Sequence, residues 1–191
     1  MCFTAIAINK KDKQSLAKAC VLSMYINTRT KNKDGAAFRK GNEVIRTLDY
    51  PEFFGRLLEM DCTGLTHLHL RAATSAVKQE FVHLWNIGGA YCAHNGILSK
   101  DSEDIKQKPI YKYSEYNYWG VDKGYESKHE NDKCDSLEFF KSAEKEIRNK
   151  DLKGLISKLR EWSGYAVLTI SYPDNDFIVV SYGKQFVVSL I

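Results

Sequence analysis

Residues 1–8 read MCFTAIAI, which places a cysteine directly after the initiator methionine and ahead of a short apolar run. The run predicts a β-strand that starts at the cysteine. Removal of Met1 would leave Cys2 with a thiol and a free α-amine on one residue. Such an amine can serve as the base that activates its own thiol for acyl transfer. The opposite interpretation is that Cys2 belongs to a chain end, where almost any residue is tolerated.

The composition of the chain is that of a globular protein. It has 191 residues, 43% of them hydrophobic, which suffices for a buried core and predicts a single domain over residues 1–191. The 28 basic and 24 acidic residues are intermixed, and the net charge of +4 argues against a nucleic-acid partner. The apolar runs are too short to span a bilayer, and no cleavable leader precedes the first strand, so we expect a cytoplasmic protein with no membrane partner.

The five cysteines are odd in number and include no CxxC pair, which predicts reduced thiols rather than a disulfide framework. Four of them are expected to be small buried apolar residues: Cys20, Cys62, Cys92 and Cys134. The tryptophans are expected to anchor the core or loops rather than to bind a ligand: Trp85, Trp119 and Trp162.

Strand patterns lie at both ends of the chain, and helical patterns lie between them. The segments expected to form regular elements are CFTAIAI (2–8, strand), KACVLSMYINTR (18–29, short helix or strand), YPEFFGRLLEM (50–60, helical or mixed), LTHLHLRAAT (65–74, strand), DSLEFFKSAEKEIRNKDLKGLISKLREW (135–162, two helices) and GYAVLTISYPDNDFIVVSYGKQFVVSLI (164–191, three strands). The segments expected to be solvated or variable loops are 31–43, 100–108 and 101–133. This order predicts an α+β fold with antiparallel sheets.

The segment AHNGIL (93–98) has two interpretations. Asn95-Gly96 between two apolar runs is the strongest short signal for a β-hairpin turn. Alternatively, the Asn95 side-chain amide and the Gly96 backbone N–H form an oxyanion hole for a tetrahedral acyl intermediate.

The strand in LTHLHLRAAT alternates, with His67, His69 and Arg71 on one face. Arg71 can grip a carboxylate bidentately or form an ordinary surface ion pair. His67 and His69 could also hold zinc together with Cys92 and His94, although this spacing matches the common zinc motifs poorly.

Asp135 precedes a helical pattern, so either Asp135 or Ser136 is expected to cap that helix. The alternative is that Asp135 pairs with the ammonium group of a substrate. The functional interpretations of Cys2, Arg71, Asn95-Gly96 and Asp135 then describe one substrate, an amino-acid amide with a carboxylate, an ammonium group and a reactive carbonyl. Glutamine fits this description.

At these residues the chain resembles the class II (N-terminal-nucleophile) glutamine amidotransferases. The matching segments, in the family's order, are Met1-Cys2, His69, Arg71 and Thr74 of HLRAAT, AHNGIL (93–98), Asp135-Ser136 with Glu138, and WSGYAVLTI (162–170). They span nearly the whole chain; each is weak alone and specific only in combination.

The resemblance implies a four-layer αββα sandwich of two antiparallel sheets, the Ntn-hydrolase fold. It also implies that Cys2 attacks the side-chain amide of glutamine, forms a γ-glutamyl thioester and releases ammonia. In the family's scheme Asn95 and Gly96 form the oxyanion hole, and Arg71, Thr74 and Asp135 bind the α-groups of the substrate. No metal and no cofactor is implied.

The chain departs from the family pattern at three places. Phe3 stands where the family usually has glycine, Ala72 where it often has tryptophan, and Ser75-Ala76 where it has His-Gly. The chain also ends with the closing strands, which leaves no room for a second domain, so an ammonia-accepting synthase is expected to be a separate subunit. The alternatives are a stand-alone hydrolase of another γ-glutamyl or amide substrate, and a non-catalytic binding module of the same fold.

Overall fold

The computed structural model describes residues 2–9, 18, 34–73, 77–100 and 134–183. Within these ranges the strands are β1 (Phe3–Asn9), β2 (Ala36–Lys40), β3 (Glu43–Thr47), β4 (Gly64–Leu70), β5 (Trp85–Ile87), β6 (Ala90–Ser99), β7 (Ser163–Ser171) and β8 (Phe177–Tyr182). The helices are α1 (Tyr50–Glu59), α2 (Asp135–Ser142), α3 (Glu144–Arg148) and α4 (Leu152–Arg160), with a short 3₁₀ turn at Gln79–Phe81. None of these helices has the length and apolar content needed to cross a membrane.

The described strands form two antiparallel sheets of four strands each. Sheet A has the order β1-β4-β2-β3, and sheet B has the order β5-β6-β7-β8. In sheet A, β1 pairs with β4 along its whole length, from Phe3 opposite Leu70 to Asn9 opposite Gly64. In sheet B, β6 pairs with β7 from Tyr91 opposite Ser171 to Ser99 opposite Ser163. These sheets confirm the expected α+β class.

Each sheet buries its outer face under helices. Helix α1 packs Phe53 and Leu57 onto the apolar side chains of sheet A, among them Phe38 and Leu68. Helices α2 to α4 cover sheet B with a larger cluster that includes Phe139, Phe140, Ile147, Leu155, Leu168 and Ile170. The helical pattern predicted over 135–162 is confirmed, although the structure divides it into three helices rather than two.

The facing sides of the two sheets meet through polar as well as apolar side chains. Thr4 Oγ1 of sheet A lies 2.7 Å from Thr169 Oγ1 of sheet B. His67 places its Nδ1 2.8 Å from Ser171 Oγ and its Nε2 2.8 Å from Thr169 Oγ1. The layers therefore follow the order helix, sheet, sheet, helices, as the αββα expectation requires.

Three local expectations were wrong. Residues 34–47, within and beyond the expected loop 31–43, form a buried hairpin, in which Ala36, Ala37 and Arg39 are fully buried. Asn95-Gly96 makes no hairpin turn, because β6 runs through it; the turn lies at Gly88-Gly89, between β5 and β6. The residue that caps α2 is Cys134, without a side-chain hydrogen bond, rather than Asp135 or Ser136.

The remaining expectations about strands, helices and buried residues are either confirmed or lie outside the described residues. The strand at 2–8 and the helix at 50–60 are confirmed as β1 and α1, and the strand at 65–74 is confirmed as β4 as far as Leu70. The residues expected to be buried that are so are Cys62, Cys92, Cys134, Trp85 and Trp162. Two of the three closing strands are β7 and β8. Some expectations lie outside the described residues. They concern the third closing strand, the segment 18–29 apart from Lys18, the loops in 101–133, Cys20 and Trp119.

Candidate active site

A small pocket opens where β1 begins and β4 ends. Because Phe3 lies opposite Leu70, the antiparallel register brings Cys2 beside Arg71 and Ala72. The residues that line the pocket are Cys2, Arg71, Ala72, His83, His94, Gly96, Cys134, Asp135 and Ser136. Four of the six site residues expected from the sequence therefore meet here: Cys2, Arg71, Gly96 and Asp135.

Cys2 is held by the main chain of the neighbouring strand end. Its Sγ lies 3.4 Å from the carbonyl oxygen of Ala72 and 3.4 Å from the backbone nitrogen of the same residue. Burial raises the pKa of the Cys2 thiol above its ordinary value, and the Ala72 hydrogen bond and the nearby Arg71 charge oppose this only in part. A thiol in this setting is almost fully protonated at neutral pH, so it needs a base to become a nucleophile.

Arg71 lies just beyond β4 and is buried. Its main chain is tied to Asp34 and Gly35: the Arg71 N–H donates to the Gly35 carbonyl at 2.8 Å, and the Asp34 N–H donates to the Arg71 carbonyl at 3.2 Å. The Asp34 carboxylate also accepts from the Ala73 N–H at 2.7 Å. Asp34 thus fixes residues 71–73, the segment that carries Arg71 and in which Ala72 contacts Cys2.

Gly96 faces the pocket from the middle of β6. A Cβ atom at this position would overlap the Tyr165 carbonyl oxygen and would lie 2.8 Å from His94 Nε2. Only glycine therefore fits. Asn95 is paired with Val167 and, by strand alternation, lies on the face of β6 that carries Ala93, so it is adjacent to the pocket but not among the lining residues.

Asp135 and Ser136 connect helix α2 to strand β6. The Leu98 N–H donates to Asp135 Oδ2 at 3.1 Å. Ser136 Oγ lies 2.7 Å from His94 Nδ1. The first turn of α2 is therefore fixed against β6, the strand that carries Gly96. Asp135 lines the pocket at this contact.

The four residues considered as zinc ligands have separate partners. His67 bonds to Ser171 and Thr169, whereas His69 Nε2 donates to the His94 carbonyl at 3.1 Å. Within the described ranges no three His, Cys, Asp or Glu side chains are grouped so as to hold a metal ion.

The structure adds two site residues that the sequence did not predict, Asp34 and His83. Asp34 stands in an Asp-Gly pair ahead of an apolar run, which is a turn signal and could have marked the start of β2. Nothing in the sequence around His83 indicates its contact with β6. The expected substrate-binding residue Thr74 lies outside the described residues.

No protein-family model and no curated protein matches the chain. Among solved structures, the chain is similar to glutamine phosphoribosylpyrophosphate (PRPP) amidotransferase from B. subtilis, in a complex with ADP and GMP, with a TM-score of 0.54 and 16% sequence identity. The similarity covers 95% of this chain and 37% of that chain. At this identity the likeness concerns the fold, and the two antiparallel sheets between helices are consistent with the Ntn-hydrolase fold.

Proposed function

We propose that the protein is a class II glutamine amidotransferase subunit or glutaminase, in which Cys2 attacks the side-chain amide of glutamine. The observation that supports this most directly is the meeting of Cys2, Arg71, Gly96 and Asp135 around one pocket. These residues come from four separate parts of the chain, and each carries a group that suits an amino-acid amide.

The charges in the pocket suit an α-amino acid. Arg71 supplies a cation for the α-carboxylate, and Asp135 supplies an anion for the α-ammonium group. With both groups held, the side chain of glutamine would extend toward Cys2 at the start of β1. Thr74 completes this substrate site in the family scheme.

Because the pKa of the Cys2 thiol is raised, the reaction needs a base that removes the thiol proton. After removal of Met1, the α-amine of Cys2 accepts the thiol proton while sulfur bonds to the amide carbon. The carbonyl oxygen becomes an oxyanion, which Asn95 and the Gly96 N–H stabilise. The amine then returns the proton to nitrogen, the C–N bond breaks, and ammonia leaves a γ-glutamyl thioester. Water hydrolyses this thioester, which releases glutamate and restores the thiol.

If the protein is an amidotransferase subunit, the ammonia that it releases needs an acceptor. We propose that a separate partner consumes it. We also propose a cytoplasmic location, because free thiols are typical of a reducing compartment. The described cysteines that are free thiols are Cys2, Cys62, Cys92 and Cys134. Glutamate release without a partner would instead indicate a stand-alone glutaminase.

A second candidate substrate follows from Ala72. This small residue lines the pocket where the family often has tryptophan, whereas Phe3, the other departure beside Cys2, packs into the apolar cluster under α1. A pocket wall with a small side chain favours a γ-glutamyl compound larger than glutamine. A panel of γ-glutamyl amides separates the two candidates, because a wide preference for glutamine excludes the second.

The test of the proposed function is glutamate release from glutamine by protein that begins at Cys2. We expect Cys2→Ala to lower the rate by about 1,000-fold or more, because the nucleophile is lost. Cys62→Ala is the matched control, since Cys62 is also a free thiol but belongs to the cluster under α1. Intact mass spectrometry after incubation with a glutamine-like electrophile should show one adduct, on Cys2. Processed protein that neither releases glutamate nor takes up the label would overturn the proposal.

A further inference from the structure

The edge of β6 beside the pocket is completed by two histidine side chains instead of a strand. β5 pairs with β6 only from Ile87 opposite Ala90 to Trp85 opposite Cys92. Continuation of this register would place His83 opposite His94. The backbone leaves the sheet before that point, because Leu84 has a φ of 61°, a conformation that is uncommon for a non-glycine residue.

The main-chain groups of His94 on this edge are satisfied by imidazoles. The His94 N–H donates to His83 Nδ1 at 3.1 Å, and the His94 carbonyl accepts from His69 Nε2 at 3.1 Å. The rings of His69 and His83 are stacked, with centroids 3.7 Å apart and planes 11° from parallel. His94 immediately precedes Asn95-Gly96.

The hydrogen bonds fix the protonation of both rings. A carbonyl only accepts, so His69 carries its proton on Nε2; a backbone N–H only donates, so His83 Nδ1 is unprotonated. Burial lowers the pKa of both histidines well below the ordinary value, so both rings stay neutral at physiological pH. Neutral rings of fixed tautomer are suited to holding a main chain and unsuited to donating a catalytic proton.

We infer that His69 and His83 are positioning residues, which hold the main chain of His94 and thereby place Asn95 and Gly96 against the carbonyl oxygen of the substrate. The inference rests on the proposed function. His69 also belongs to β4, the strand that ends at Leu70, immediately before Arg71. The stacked pair therefore sets the distance between β4, which precedes Arg71, and β6, which carries Asn95 and Gly96.

The experiment compares variants that remove each hydrogen bond with variants that restore it. His83→Leu removes the acceptor, and His83→Asn supplies a side-chain oxygen near the place of Nδ1. His69→Leu removes the donor, and His69→Gln supplies a side-chain NH₂ near the place of Nε2. His67→Leu is the matched control, because His67 is buried on the same strand but bonds to Thr169 and Ser171.

Two measurements are made on folded protein below each variant's Tm. We expect kcat for glutamine to fall about 10- to 100-fold in the two leucine variants at positions 69 and 83, since a displaced oxyanion hole weakens only the transition state. KM should change by less than about threefold. Exchange of the His94 amide hydrogen, followed by NMR, should be about tenfold faster or more in His83→Leu. His83→Asn and His69→Gln should recover most of the lost kcat, and His67→Leu should leave both quantities unchanged.

The outcomes are separable. An active wild-type protein whose leucine variants keep both kcat and amide protection overturns the inference, and so does an equal loss in the leucine and the conservative variants. A processed wild-type protein that neither releases glutamate nor takes up the glutamine-like electrophile overturns the proposed function and any catalytic role for the pair. The exchange of the His94 amide then still decides whether the two rings hold the strand.

Discussion

The main chain at Gly96 passes too close to its neighbours for any side chain to be added. The nearest atom to a new Cβ is the Tyr165 carbonyl oxygen, and this atom belongs to the backbone of β7, so it cannot move without disturbing the β6–β7 pairing. Gly96→Ala is therefore expected to lower the free energy of unfolding by about 3 kcal/mol or more and to abolish glutamate release. Urea unfolding and a glutamate assay measure the two effects.

Gly89→Ala is the control for this substitution. Gly89 also has a positive φ, of 83°, but nothing lies within 4 Å of its Cβ position. Its replacement should cost only about 1 kcal/mol of backbone strain and leave the activity in place. Equal losses of stability in the two variants would contradict the clash at Gly96.

At the scale of single residues, the sequence predicted the reactive and charged groups of the site better than the contacts that hold them in place. Cys2, Arg71 and Asp135 carry the thiol, guanidinium and carboxylate groups that suit an amino-acid amide, and all three line the pocket. Asp34 and His83 were missed because each side chain bonds to the main chain of a neighbouring strand or strand end. Such contacts depend on which strands pair within a sheet and leave no local sequence pattern.

At the scale of elements, the hairpin expected at Asn95-Gly96 shows how long-range pairing overrides a local turn signal. β6 pairs with β7 over nine consecutive residues, and a turn in its middle would break this ladder. The turn before β6 uses Gly88 and Gly89, with φ of 60° and 83°. Positive φ at both central residues is the geometry of the turn that Asn-Gly usually provides.

Strands β2 and β3 were missed for a different reason. The charged residues of 31–43 suggested a solvated loop, yet Arg39 is fully buried between the sheets. Its guanidinium donates to the carbonyls of Gly41 at 2.6 Å and Tyr172 at 2.8 Å, and it lies 4.6 Å from the centre of the Tyr91 ring. The Tyr172 carbonyl, which follows β7 and is 133 residues from Arg39 in the chain, is a partner that the local sequence cannot indicate.

Helix α4 begins at a side-chain cap that can be tested alone. Asp151 Oδ1 accepts from the Gly154 N–H at 2.9 Å, which satisfies one of the free donors at the helix start. Asp151→Ala should lower the free energy of unfolding by about 1 kcal/mol, and Asp151→Asn, which keeps a capping oxygen, should cost clearly less. Urea denaturation of the two variants and the wild type decides, and identical midpoints for all three would show that the cap contributes nothing.

At the scale of the whole molecule, the two sheets are joined by histidines that have no charge. His67, His69 and His83 are all buried. Burial, and for His67 also the neighbouring Arg39 charge, lowers the pKa of these side chains, that of His67 to about 3 and those of His69 and His83 well below the ordinary value. The unfolded chain, in contrast, protonates its histidines near pH 6.5.

This difference makes the stability of the fold depend on pH with a definite sign. Below about pH 6.5 the unfolded state binds more protons than the folded state, so the free energy of unfolding falls as the pH falls. Each histidine that stays neutral in the folded state contributes a slope of up to about 1.4 kcal/mol per pH unit. Urea unfolding at steps between pH 7.5 and 5 should therefore show a steep loss, in a range where most carboxylates remain ionised.

The slope, rather than the stability at one pH, identifies the histidines as the cause. His67→Gln removes one titrating side chain, so its free energy of unfolding should fall less steeply than that of the wild type, by up to about 1.4 kcal/mol per pH unit. The variant is expected to be less stable at pH 7.5, because the bonds of His67 to Ser171 and Thr169 join the two sheets. The two curves should therefore approach each other as the pH is lowered toward 5. Parallel curves would mean that His67 is protonated in the folded protein as readily as in the unfolded chain, and that the layer between the sheets is open to water.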